Sequence, residues 1–205
     1  NSGLQSHQVW SSDTVHIELP VKGGAATWRR AELLERISVA NSLHPLLSPK
    51  VIAVIGASRD STSLGHMIFR NILHNRFQGT VYPVNYEADS VNGVKAYSAI
   101  KDIPEKIDLA VISVPAESVF EVAEKSIKHG AQGLLVVSAG FAEAGTEGLE
   151  RQKKLVELVR TNGVRLLGPS CLGLINTDPE IRLNASLAPG LGTYGNAGFF
   201  SHSAA

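Results

Sequence analysis

The sequence has little of what would direct a protein to a membrane, a secretory route or a nucleic acid. Its 205 residues include one cysteine, Cys171, so no disulfide can form within the chain. No apolar run reaches the length of a membrane span or a signal sequence. Basic and acidic residues both number 19, which gives a formal net charge of zero, and no basic stripe with interleaved aromatics is present. We therefore expect a cytoplasmic protein without membrane or nucleic-acid partners.

Catalytic and metal-binding patterns are also missing. His66 and His74 are eight residues apart in the sequence, which is not the i,i+4 spacing of a helical metal pair, and we interpret both as surface histidines. Glu143 and Glu147 are interpreted as carboxylates favoured at a helix start by its dipole. Cys171 has no histidine close in sequence, and burial as a small apolar residue explains it better than nucleophilic catalysis. We expect no metal site and no catalytic residue.

The stretch Val51–Gly65 carries the clearest functional pattern. Five apolar residues run into Gly56, and after a polar loop Gly65 opens an amphipathic helical pattern. Glycine lets a phosphate approach the backbone, and the N–H groups at a helix start favour an anion. The stretch therefore predicts a bound nucleotide or diphosphate. The alternative is a tight turn with no ligand. A side chain at Gly65 should block the diphosphate, at modest cost to folding if Gly65 has ordinary helical angles.

Strand and helix patterns alternate after residue 46. We predict strands at 51–55, 80–84, 108–114, 133–138 and 164–167, separated by helices that include 117–129 and 147–162. Such crossovers require a parallel sheet covered on both sides. The predicted fold is α/β, a Rossmann-like open and mainly parallel sheet with helices on both faces. Ligands of such sheets lie beyond the carboxyl ends of the strands.

The amino-terminal region shows a weaker pattern. Residues 1–14 are polar and aperiodic, and we predict no fold for them. Val15–Pro20 alternates like a half-buried strand, and Trp28–Ala40 has the apolar spacing of a helix. Because no partner strand is within reach, this strand is expected either to end a preceding domain or to join the edge of the main sheet.

Several segments together resemble a known family. The segments LLSPKVIAVIGASRD, DLAVISVPAESV, GLLVVSAGFAEAGTEG and VRLLGPSCLGLINT resemble the CoA-binding domain of NDP-forming acyl-CoA synthetases, which are relatives of the succinyl-CoA synthetase α subunit. The resemblance implies CoA or an acyl-CoA as ligand. In that family the string is usually GPNCLG, whereas Ser170 stands in the asparagine place here.

CoA consists of a 3′-phosphorylated ADP and a pantetheine arm, and its parts suggest roles for the strand ends. The helix start and its loop would hold the diphosphate through Gly56, Ala57, Ser58, Ser63, Leu64 and Gly65. Arg59 could meet a phosphate with its guanidinium group, or it is merely solvated. By the resemblance, Val84 and Asn85 border the adenosine, and the pantetheine lies along Val114, Pro115, Ser138, Ala139 and Gly140.

The resemblance also implies a longer parent protein. We expect residues 1–44 to be the tail of a preceding domain with its linker, and the resemblance suggests that this domain is of the GNAT acetyltransferase type. Residues 45–195 would form the CoA-binding domain, and residues 196–205 would begin a second α-type domain. An ATP-grasp domain would be a further partner. His202 replaces a loop glutamine of the family and is assigned no catalytic role. We expect the fragment alone to be inactive.

Two other functions stay open from the sequence. An NAD(P)-binding Rossmann domain of an oxidoreductase or redox sensor would share this fold. Gly56 is not followed by two more close glycines, and Asn85 stands where an acidic residue usually binds the NAD ribose. Both features argue against NAD. A degenerate module that binds nothing and only mediates subunit contact is the other alternative.

Overall fold

The computed structural model describes residues 7–11, 14–18 and 25–201. The chain divides into two compact units, residues 1–41 and residues 42–205, and each is described by itself. Among the described helices, none combines the length and the apolar character that crossing a bilayer requires.

The first unit contains a hairpin and most of a long helix. Strand β1 (His7–Ser11) pairs antiparallel with β2 (Thr14–Glu18), and helix α1 spans Ala25–Leu47. The expectation that residues 1–14 have no fold and that the following strand lacks a partner was therefore wrong. Backbone hydrogen bonds hold the pair, and they require no apolar pattern in the polar strand. Helix α1 extends beyond the predicted Trp28–Ala40 at both ends, and Leu19 and Pro20 lie outside the described residues.

The second unit is built on a parallel sheet of five strands in the order β4-β3-β7-β8-β9. Three helices connect these strands, and two short hairpins accompany them. In chain order the elements are β3 (Val51–Ile55), α2 (Leu64–His74), β4 (Thr80–Val84), β5 (Ser90–Val91), β6 (Val94–Lys95), β7 (Leu109–Ile112), α3 (Ala116–Lys128), β8 (Gly133–Val136), α4 (Thr146–Thr161), β9 (Arg165–Leu167), β10 (Gly173–Asn176) and β11 (Leu183–Ser186). The predicted Rossmann-like fold is confirmed.

The sheet carries packed layers on both faces because its central strands are apolar at every position. On one face α3 and α4 pack against residues such as Ala110, Ile112 and Leu134. On the other face, residues such as Ile52 and Leu135 share a core with three groups of residues. These come from α2, from the last turn of α1 and from the hairpin β10–β11, and include Leu46, Ile68, Phe69, Ile72, Leu183 and Ala185.

The hairpin β10–β11 was not predicted from the sequence. A buried amide fixes it to the helix beside it, because Asn71 Nδ2 donates to the backbone oxygens of Ser186 at 2.9 Å and Ala188 at 3.0 Å. Asn71 is 2% exposed. A polar residue on the apolar face of α2 thus supplies the hydrogen bonds that the end of β11 needs once water is excluded.

Two glycines bring the start of α2 against the end of β3. A Cβ atom on Gly65 would lie 2.1 Å from the carbonyl oxygen of Gly56. Gly56 itself has φ +89°, and its Cβ would lie 2.3 Å from the Ser113 oxygen. Since real Cβ atoms do not approach that closely, both glycines are required by packing. The expectation that a side chain at Gly65 costs folding little was therefore wrong.

We predict that Gly65→Ala lowers the free energy of unfolding by about 1–3 kcal/mol, the usual cost of forcing atoms into a packed site. Gly190→Ala is the matched control, because its Cβ meets nothing within 4 Å. Urea denaturation measures both. Helix propensity alone would make Gly65→Ala more stable, by up to about 1 kcal/mol, and that outcome would contradict the close contact.

Candidate functional site

The carboxyl ends of the five parallel strands form one row along the sheet edge, in the order β4, β3, β7, β8, β9. Neighbouring strands are about 4.8 Å apart, so the row spans roughly 19 Å. The last residues of the strands and the segments that follow them contain all the residues predicted to contact a ligand. An extended molecule has room to lie across them.

The loop between β3 and α2 presents a helix start. The Gly56 N–H donates to the Val84 oxygen at 3.1 Å, which ties the loop to the neighbouring strand. Ser63 is the N-cap of α2, and its Oγ accepts from the His66 N–H at 3.2 Å. Among the described residues, the N–H groups of Leu64 and Gly65 have no acceptor. These two donors sit where a helix dipole favours an anion.

The same loop keeps one acidic group. The carboxylate of Asp60 accepts from the Thr62 N–H at 2.9 Å and from its hydroxyl at 2.7 Å. The backbone and side-chain hydrogen bonds from Thr62 hold the pKa of Asp60 below its ordinary value. The loop therefore retains a negative charge beside the predicted anion site.

His66 differs from its sequence interpretation. The residue is 8% exposed, and its Nδ1 lies 2.8 Å from the Ser58 oxygen. The interpretation as a surface histidine was wrong for His66, because the loop folds back over the first turn of the helix that it precedes. His74, the last residue of α2, is exposed as expected. His66 therefore helps to fix the loop.

Asn85 uses both the nitrogen and the oxygen of its side-chain amide to hold the loops together. Its Nδ2 donates to the Ala57 oxygen at 2.7 Å, and its Oδ1 accepts from the N–H groups of Glu87 at 2.8 Å and Ala88 at 3.0 Å. The side chain of Val84 lies in the core. At the end of β4, the side chains of both predicted residues, Val84 and Asn85, therefore make contacts within the protein.

The ends of β7 and β8 are joined in a similar way. Ser138 Oγ donates to the Val114 oxygen at 2.6 Å, and the Ser138 oxygen accepts from the Ser170 N–H at 3.0 Å. Pro115 and Ala139 are exposed, whereas Ser138 is buried. The exposed surface at the ends of β7 and β8 is therefore a mostly apolar strip of backbone and small side chains. The Ser138 hydroxyl beside it is already held by its hydrogen bond to Val114.

Glu143 has a role that the sequence did not suggest. Its Oε1 accepts from the hydroxyl of Ser170 at 2.6 Å and from the N–H groups of Gly140 at 2.7 Å and Phe141 at 3.1 Å. The Ser170 hydrogen bond first, and then those backbone N–H groups, lower the pKa of Glu143 to about 2. The carboxylate thus joins the loops after β8 and β9, which a general preference for helix starts does not explain.

The neighbouring acid and the cysteine agree with their interpretations more closely. Glu147 lies in the first turn of α4 and pairs at 2.8 Å with Arg151, whose Nη1 also donates to the Gly140 oxygen at 2.6 Å. Cys171 is half-buried, and burial raises the pKa of its thiol, which disfavours a nucleophilic thiolate. Within the described part of the chain, no three candidate ligand side chains cluster to hold a metal.

Comparison with known proteins identifies the family. Residues 50–177 match the family described as "CoA binding domain". The chain belongs to this family. Its ligand is CoA or an acyl-CoA, and the NAD(P) alternative is not favoured. This CoA-binding domain is 42% identical over 159 residues to the α subunit of acetate–CoA ligase [ADP-forming] II from Pyrococcus furiosus. The match covers 77% of the chain and 34% of that subunit.

Two further relatives agree. Acetate–CoA ligase [ADP-forming] I from Archaeoglobus fulgidus is 42% identical over 160 residues, which cover 78% of the chain and 23% of the ligase. Among solved structures, the dinucleotide-forming acetyl-coenzyme A synthetase 1 of Ca. Korarchaeum cryptofilum, in complex with phosphate and ADP, superposes with a TM-score of 0.66. That match has 41% identity and covers 72% of this chain and 31% of the synthetase. The chain thus spans about a third or less of these relatives.

The Glu143 contacts predict a specific acid dependence. The folded pKa of about 2 lies below the ordinary value of 4.5, so folding favours the ionised carboxylate. Its contribution is complete above about pH 4.5 and is lost as the pH falls toward 2. Glu143→Gln should lower the free energy of unfolding at pH 7 by about 1 kcal/mol, a value reduced for solvent screening. The difference in the free energy of unfolding between Glu143→Gln and the wild type should become smaller toward pH 3. Urea denaturation at each pH measures it.

Glu157→Gln is the control, since Glu157 is exposed on α4 and surface changes of this kind stay within about 0.5 kcal/mol. A loss in Glu143→Gln that is the same at pH 3 and pH 7 would show that the carboxylate is not held as the structure describes.

Proposed function

We propose that this domain holds CoA across its strand ends as one part of a longer NDP-forming acyl-CoA synthetase. The row of strand ends, with the Gly56–Gly65 loop after its second strand, carries the proposal. The acetate–CoA ligases that the chain resembles support it.

The order of the strands suggests how CoA lies in the site. The adenosine is placed at Val84 and Asn85, after the edge strand β4, and the diphosphate at the β3–α2 loop. The pantetheine then runs past β7 and β8. The diphosphate residues are Gly56, Ala57, Ser58, Ser63, Leu64 and Gly65, and the pantetheine residues are Val114, Pro115, Ser138, Ala139 and Gly140. The spatial order β4-β3-β7-β8 follows the order of these groups along CoA.

The remaining parts of the reaction belong to other domains in this proposal. Residues 45–195 form the CoA-binding domain, residues 1–44 belong to a preceding domain and linker, and residues 196–205 begin a second α-type domain. An ATP-grasp domain supplies nucleotide chemistry, and a GNAT domain is a further candidate neighbour. The relatives support a longer protein because the chain covers 34% and 23% of two of them. We place the parent protein in the cytoplasm.

We predict that CoA raises the thermal midpoint of this chain and that NAD does not. Ligand at one hundred times its dissociation constant adds about 2.7 kcal/mol to the free energy of unfolding. Differential scanning fluorimetry with CoA, acetyl-CoA, NAD and NADP measures the shifts. A shift with NAD and none with CoA would overturn the proposal.

We also predict that the isolated chain turns nothing over. Its described strand-end loops offer backbone donors and engaged side chains, with no acid, base or nucleophile aligned beside a thioester. The protein is incubated with ATP, acetate and CoA, and separately with acetyl-CoA and a lysine peptide, while ADP release and peptide acetylation are measured. Reactions without CoA or acetyl-CoA are the controls. Turnover above them would reveal an active site, and its loss in Cys171→Ser would locate it.

A further inference from the structure

An arginine on the β3–α2 loop reaches across to the hairpin β5–β6. Arg59 Nε donates to the Ser90 backbone oxygen at 3.0 Å, and its Nη2 lies 3.5 Å from Ser90 Oγ. Arg59 is exposed. A guanidinium has five N–H donors, so at least three remain for a ligand. Ser90 therefore orients the guanidinium and leaves most of its N–H donors free.

A second cation lies at the same hairpin. Lys95 is directly opposite Ser90 in the antiparallel register, and directly opposed side chains project on the same face of a strand pair. Its Nζ lies 5.3 Å from the ring centroid of Tyr97, and this contact restrains the ammonium group. Arg59 thus reaches Ser90 from the β3–α2 loop, and Lys95 is the residue paired with Ser90 in the β5–β6 hairpin.

Neither cation is neutralised by a carboxylate. The ion pairs within 4.0 Å among the described residues include neither Arg59 nor Lys95. The acidic residues on the same loops are Asp60, Glu87 and Asp89, and all three are exposed. Asp60 is already engaged by Thr62. The two cations are therefore available to an anion, although the surroundings are not strongly basic.

The hairpin lies at the adenosine end of the row. Tyr97, two residues after Lys95, bridges in parallel to Val84 at the end of β4, and β4 has β3 as its only neighbour in the five-stranded sheet. Lys95 is thus at the outer edge, one strand away from the helix start that we assign to the diphosphate, and the Arg59 guanidinium reaches the same hairpin from the β3–α2 loop. CoA carries a separate phosphate on the 3′ position of its ribose, beside the adenine.

We propose that Arg59, which bonds to Ser90, and Lys95, which is paired with Ser90 in the hairpin, bind the 3′-phosphate of CoA and distinguish CoA from 3′-dephospho-CoA. The inference depends on the proposed placement of CoA across the strand ends. A phosphate monoester carries close to two negative charges at neutral pH, and an oriented guanidinium can contact two of its oxygens. The α2 start supplies backbone donors for the diphosphate, so the two anionic groups of CoA have different partners.

The test is a cycle of protein variants and ligands. Isothermal titration calorimetry at one fixed low ionic strength measures CoA and 3′-dephospho-CoA on the wild type, Arg59→Gln, Lys95→Gln and Lys154→Gln. Lys154 is the control because it is an exposed lysine on α4. We expect the wild type to prefer CoA by about tenfold to a hundredfold, the range for charge-assisted hydrogen bonds.

Arg59→Gln should lower the affinity for CoA by that factor. Its affinity for 3′-dephospho-CoA should stay within about twofold of the wild-type value, so that the preference for CoA disappears. Lys95→Gln should reduce the preference less, because a lysine makes no bidentate contact. Lys154→Gln should behave as the wild type. Arg59→Lys, which retains the charge, should recover part of the preference and serves as a second variant with little effect on folding.

The contrary outcomes are distinct. If Arg59→Gln lowers the affinity for both ligands equally, Arg59 contacts the diphosphate, which both ligands share, and the inference is overturned. A wild type that binds both ligands equally would also overturn it, while the proposed function survives. If neither ligand binds the wild type, the proposed function fails together with the inference.

Discussion

The approach of Gly65 to the carbonyl oxygen of Gly56 is the contact on which the site depends. Because no Cβ intervenes, the first turn of α2 packs directly against the end of β3, and its unbonded N–H groups reach the sheet edge. The turn at Gly56 then lets its N–H bond to Val84 on the next strand, and Asn85 holds the Ala57 oxygen. Two adjacent strand ends and a helix start become one rigid unit.

Much of the polar chemistry at the strand ends serves to order the loops. Asn85 and Ser138 bond to backbone groups of neighbouring loops, Glu143 joins its own loop to the Ser170 hydroxyl, and Arg151 holds the Gly140 oxygen from the other side. Side chains engaged in this way keep the backbone donors and the apolar strip in place before a ligand arrives. Such preorganisation lowers the entropy cost of binding a flexible molecule like CoA.

Sequence patterns predicted the sheet because local rules define its elements. Apolar runs of four or five residues ending at Gly56 or Pro115 marked buried strands, and amphipathic segments marked α2 to α4. The hairpin β10–β11 and the strand β1 were missed, the first because its contacts come from elsewhere in the chain and the second because its pairing with β2 needs no apolar pattern. Asn71 shows the reason, because it bonds residues more than a hundred positions away. His66 was misinterpreted, and the hydrogen bonds of Glu143 were missed, because their partners lie in loops whose folding the periodicity does not describe.

The charges around the site explain why backbone geometry matters so much for an anionic ligand. The segments that follow β3, β4 and β8, up to the next main helix or strand of the sheet, carry more acidic side chains than basic ones. The lowered pKa values of Asp60 and Glu143 keep both ionised. A general basic field therefore cannot attract CoA. Binding must depend on short-range donors, which fall off within a helix turn and act only on a correctly placed phosphate. That requirement favours a ligand whose anionic groups match the spacing of the strand ends over any other polyanion.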